Sequence, residues 1–107
     1  MGAWGERPFE NDVALDWIAP VRLTLTRNKI LKALSTTDEY EKNYLIRAAA
    51  RKMLIPFLRK DYELAVEKLQ EVLNDEEWIN SWKSPKKIRE EINKQIADLK
   101  LAQATII

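Results

Sequence analysis

Apolar positions recur at helical spacing through most of the chain. The pattern is cleanest from Asp61 onward, where Tyr62, Ala65, Val66, Leu69, Val72 and Leu73 fall at i, i+3, i+4, i+7, i+10 and i+11. That is one stripe of a 3.6-residue period, with charged residues on the remaining face, and it predicts an amphipathic helix. A second seam, Ile88, Ile92, Ile96 and Leu99, runs through "SPKKIREEINKQIADLKL". Ser84 suits an N-cap and Pro85 the first helical position, where a missing N–H costs nothing. Lys86 with Glu90, Lys87 with Glu91, Glu90 with Lys94, and Lys94 with Asp98 stand one turn apart. Each such pair contributes roughly 0.2–0.5 kcal/mol. Between the two seams, "NDEEWINSW" reads as a short helix or turn with Trp78 and Trp82 one turn apart.

Upstream, a helix is expected from about Asp38 to Ile55, carrying Tyr44, Leu45, Ala48, Ala49, Met53 and Leu54. Its wide apolar face, rich in small residues, suits a central position with close neighbours. "STTDEYE" is its start signal, with Thr36 and Glu39, or Asp38 and Glu41, as capping pairs. Pro56 ends it. The first helix begins at "NDVALDW", capped by Asn11 or Asp12. Leu15, Ile18 and Val21 form its expected inward stripe, and Pro20 predicts a kink or break near Ala19. "VRLTLT" alternates like a strand, but no second good strand exists to pair with it. A helical piece over about Val21–Ala33 is expected instead. Ahead of all this, Trp4 and Phe9 are placed to fold back over Trp17, with Phe9 as a staple residue. The alternative is a binding cleft lined by these rings. The expectation is an all-α single compact domain, 1–107, of four to five helices, with an N-terminal aromatic leader packed on it.

Composition narrows the function. The 107 residues contain no cysteine and no histidine. This removes disulfides, thiolate and imidazole metal sites, and histidine-dependent dyads and triads. Eighteen basic and 17 acidic side chains leave a net charge of +1, which argues against nucleic acid or anionic lipid as partner. No apolar run reaches the ~18 residues of a membrane span. The opening has no basic segment followed by an apolar run, so no signal peptide is read there. A cytoplasmic location is the expectation. There is no Gly-rich phosphate loop and no nucleophile elbow, and neither a cofactor nor catalytic residues are expected.

Four constellations remain. Asp12 and Asp16 share a helix face and can hold a hard cation or divide acid and base roles, whereas capping and the helix dipole account for them without function. "SPKK" with Lys83, Lys86, Lys87 and Arg89 resembles basic DNA-binding tetrapeptides. However, a single copy starting a helix, followed by Glu90 and Glu91, is explained by capping. Arg47 and Arg51, with Lys52, Arg59 and Lys60 nearby, read as a phosphate or acidic-partner patch or, more plainly, a solvated or ion-paired face. Glu71, Asp75, Glu76 and Glu77 form an acidic cluster that would suit a basic protein surface, or simply a charged helix end.

The opening also resembles a known bacterial family, the domain-of-unknown-function family four-two-five-nine. That family begins with a pattern close to Met-Gly-x-Trp-Gly-x-x-x-Phe-x-Asn-Asp-x-Ala-x-Asp-Trp. Met1, Gly2, Trp4, Gly5, Phe9, Asn11, Asp12, Ala14, Asp16 and Trp17 match it. "YLIRAAARKML" and "LNDEEWINSW" resemble its middle helix and C-terminal third, while Arg7-Pro8 departs from its pattern. The resemblance implies a small all-helical domain and brings no established activity. By analogy with small helical immunity proteins, the expected function is a non-catalytic protein-binding module that neutralises a partner protein. The partner surface would be Glu71, Asp75, Glu76 and Glu77. The alternative is a metal-dependent enzyme or regulator using Asp12 and Asp16. A homodimer through the Ile88–Leu99 seam is a further option if the core leaves that seam free.

Overall fold

A computed structural model describes residues 5–18, 27–39, 41–53 and 57–105. Among them are six helices: α1 (Asp12–Ile18), α2 (Arg27–Leu34), α3 (Lys42–Arg51), α4 (Arg59–Asn74), α5 (Glu76–Asn80) and α6 (Pro85–Ala104). The expectation of four to five is therefore too low. The extra helix is the five-residue α5, which is distinct because Asp75 caps it separately. The radius of gyration, 13.1 Å, matches the ~13 Å of a compact 100-residue domain.

Asn11, rather than Asp12, caps α1. Its Oδ1 accepts the Ala14 N–H at 2.7 Å, and its Nδ2 donates to the Pro8 carbonyl at 2.9 Å. The burial pattern corrects the expected stripe. Ala14 is fully buried, Trp17 and Ile18 are half-buried, and Leu15 is 41% exposed. Val21, Pro20 and the strand-like "VRLTLT" lie outside the described residues, as does Trp4. Helix α2 turns Ile30, Ala33 and Leu34 inward, against α3.

Helix α3 is shorter than the expected Asp38–Ile55. Asp38 acts one turn before it, its carboxylate accepting the Glu41 N–H at 3.2 Å and its carbonyl the Lys42 N–H at 2.8 Å. The helix is central, packing against α1, α2, α4 and α6. Ile46, Ala48, Ala49 and Ala50 are buried on it, and the alanines let the neighbouring helices approach closely. Arg47 is also fully buried, which overturns the reading of Arg47 with Arg51 as a solvated cationic face.

Helices α4 and α6 form the most extensively packed pair. Tyr62, Ala65, Val66, Leu69 and Val72 meet Ile88, Ile92, Ile96 and Leu99 in one core, with Leu73, Trp78 and Trp82 at its margin. The Ile88–Leu99 seam is consumed by this core and offers no free dimer face. Ser84 makes no side-chain cap bond to α6. Arg89 reaches back to Glu76 on α5 at 3.4 Å rather than along its own helix. A bidentate pair ties α2 to the start of α4: Arg27 donates to the two Asp61 carboxylate oxygens at 2.7 and 3.0 Å. Asp61 also accepts the Leu58 N–H at 3.2 Å, closing the first turn of α4.

Candidate functional site

The least ordinary environment surrounds Arg47. Trp78 and Trp82, held one turn apart by the Asp75 cap of α5, place their ring centroids 5.9 and 5.8 Å from its guanidinium carbon. Such distances are those of cation–π contacts. The two tryptophans meet edge to face at 5.4 Å, and Tyr44 packs edge-on against Trp78 at 5.6 Å. One guanidinium nitrogen, Nη2, donates to the carbonyl of Glu6 in the leader. Arg47 Nε and Nη1 are buried and meet no acceptor among the described residues. From α6, Gln95 donates to the Arg47 backbone carbonyl, while its own Oε1 is buried and unpaired. Burial lowers the Arg47 pKa to about 10, opposed by the nearby negative charges of Glu91, Glu6 and Glu10. The side chain is therefore charged at neutral pH.

The leader that covers Arg47 is a tight strap. Glu10 N–H donates to the Arg7 carbonyl at 3.1 Å, and the Glu10 carboxylate accepts the Arg7 N–H at 3.0 Å. Pro8 is buried, and Lys52 sits 5.2 Å above the Phe9 ring. A Cβ at Gly5 would come within 2.5 Å of the Glu10 carboxyl carbon, so a side chain there would push this carboxylate off the Arg7 N–H. Beside the strap lies a cleft of about 430 Å³, walled by Pro8, Phe9 and Glu10 on one side and by Glu91, Lys94 and Gln95 of α6 on the other.

A second cleft, about 470 Å³, opens where the approach to α3 meets the end of α4. Glu39, Glu71 and Asp75 line it, together with Thr36, Asn43 and Lys68. Asp75 is structurally committed, since one carboxylate oxygen accepts the Trp78 N–H at 3.1 Å and the other the Asn43 amide at 3.2 Å. Glu71 pairs loosely with Lys68 at 3.8 Å, and Glu39 with Lys42 at 3.3 Å. Glu76 and Glu77 are exposed on α5 just beyond Asp75. The four acids of the sequence reading thus fall together at one corner of the molecule, divided between one structural and three exposed carboxylates.

Asp12 and Asp16 are both exposed on α1. Among the described residues there is no group of three or more carboxylates able to hold a metal ion. Lys83, Lys86 and Lys87 are exposed at the start of α6. No described helix is long and apolar enough to cross a membrane. Sequence reasoning missed the roles of Arg47, Gln95, Asn43 and Asp61. The available signal was a polar side chain on a predicted buried face. Gln95 stands one residue before Ile96 of the seam, and Arg47 one before the alanine run.

Six helices among the described residues, with a strap over a buried arginine, define a small all-α domain. The chain belongs to the family described as domain of unknown function DUF4259, whose model matches residues 2–100. No curated protein and no solved structure matches it.

Proposed function

We propose that this domain is a non-catalytic protein-binding module that docks a basic surface of another protein at its acidic corner. The observation carrying the reading is the cleft of about 470 Å³ bordered by Glu39, Glu71 and Asp75, with Glu76 and Glu77 continuing its charge along α5. Its lysines do not block it. The Lys42–Glu39 and Lys68–Glu71 pairs join half-buried lysines to exposed glutamates and are worth little at the surface, so an incoming lysine or arginine exchanges with them at small cost. Such a surface steers a cationic partner and sets specificity through charge. Neutralising a basic toxin-like protein, as an immunity protein does, is the use that fits best.

The test begins with the tagged protein and its Glu71→Gln/Glu76→Gln/Glu77→Gln variant, each used to capture partners from native lysate at low salt. Asp75 is kept because it caps α5. A basic protein retained stoichiometrically by the wild type, and lost from the variant or at raised salt, supports the acidic corner. Equal retention by both forms, or no specific retention, removes it.

A further inference from the structure

We propose that the Gly5–Glu10 strap is an exchangeable internal ligand: the Glu6 carbonyl occupies a subsite on Arg47 that is built for a carboxylate, and an external carboxylate displaces it. This inference does not rest on the acidic corner.

The guanidinium presents five N–H donors in a planar fork. Trp78 and Trp82 lie at cation–π distance from it, leaving the hydrogen-bonding edge to the strap and α6. That edge meets one neutral carbonyl, from Glu6, at one nitrogen. Nε and Nη1 are enclosed without an acceptor among the described residues. A carbonyl accepts at a single oxygen, whereas a carboxylate accepts side-on from two guanidinium nitrogens and brings the compensating charge. A buried, uncompensated charge is costly, and pairing it recovers much of that cost. The carboxylates of Glu6, Glu10 and Glu91 are close enough to act on the Arg47 charge, yet none of them accepts a hydrogen bond from it.

The strap is held by few ties: two bonds between Arg7 and Glu10, and the Asn11 amide on the carbonyl of the buried Pro8, while Arg7 itself is exposed. The cleft of about 430 Å³ beside it is lined by Arg7, Pro8, Phe9 and Glu10 of the strap and by Gln95, which donates to the Arg47 backbone carbonyl. The ligand chemistry is a carboxylate, either of a small acid or of a polypeptide C-terminus.

The test uses the full-length, nitrogen-15-labelled protein. Sodium acetate is titrated against sodium chloride at matched ionic strength, following the Arg47 Nε–H signal and the exchange rates of the Arg7 and Glu10 amides. A tripeptide with a free C-terminus and its C-terminal amide follow. The expected result is a saturable acetate-specific shift of Arg47 with faster exchange in the strap. Gly5→Ala, which crowds Glu10 and loosens the turn, raises the apparent affinity several-fold, because less of the protein is closed. Free-acid peptide binding tighter than acetate assigns the subsite to chain termini, and equal binding assigns it to small acids. An equal response to chloride, an absent shift, or equal binding of the amidated peptide overturns the proposal. So does acetate binding that survives Arg47→Lys, which keeps the charge and removes the fork. The wild-type acetate and chloride comparison decides the matter even if a variant fails to fold.

Discussion

Arg47 carries its charge into the core at a cost, since burial lowers its pKa to about 10. Above that value, up to the ordinary range of a guanidinium, the unfolded chain holds more protons, so this group makes stability rise with pH across that interval. At neutral pH the volume of the side chain, packed between Trp78 and Trp82, matters more than its charge. Arg47→Met is therefore expected to be neutral or stabilising, by up to ~4 kcal/mol, following other buried ionic groups replaced by apolar ones of similar size. Arg47→Ala leaves a cavity and is expected to cost ~2–5 kcal/mol. Urea denaturation separates these outcomes, and equal losses would mean that the Glu6 bond dominates. At α1 the cap lies on Asn11, so Asn11→Ala should cost ~1–2 kcal/mol. Asp12→Ala and Asp16→Ala should stay within ~0.5 kcal/mol. Millimolar magnesium should leave Tm unchanged. A concentration-dependent rise would instead support the metal-dependent alternative at Asp12 and Asp16.

At the scale of elements, α4 and α6 were legible in advance because their signal is local. A stripe every 3.6 residues and a Ser-Pro start lie within one helix, and the core buries that stripe. Ile92→Ala is expected to cost ~2–5 kcal/mol by thermal or urea unfolding. The stripe of α1 differs from its expectation because seven residues span only two turns, too few for periodicity to say whether Leu15 or the smaller Ala14 faces inward. The α2–α4 junction depends on Asp61, whose pKa is lowered chiefly by its hydrogen bonds with Arg27 and secondarily by the Leu58 N–H, against the opposing effect of burial. A depressed carboxylate contributes stability above its unfolded pKa, 3.8 here, and loses it as pH falls through its lower folded value. The stability difference between the wild type and Asp61→Asn should thus be full at pH 6 and shrink below about pH 4. A difference independent of pH would assign the effect to packing.

Across the whole molecule, α4 and α6 pack most extensively and supply most of the shared core, so their amides should exchange slowest and set the global unfolding energy. The α1 and strap amides should exchange sooner, through openings that leave that core intact. Faster exchange in α6 than in α1 would contradict this order. The amino-acid sequence by itself determined the helical class, the two long amphipathic elements, the isoleucine seam and the short tryptophan-bearing turn. Each of these follows from periodicity and capping within about 20 residues. Only the tertiary structure decided which polar side chains went inside. Arg47 meets Glu6 across 41 positions, Gln95 meets Arg47 across 48, and Asp61 meets Arg27 across 34. A charged residue on a helix reads as solvent-facing until a distant segment covers it. The strap, α5 and α6 converge on α3 to enclose Arg47, and no spacing within α3 records that convergence.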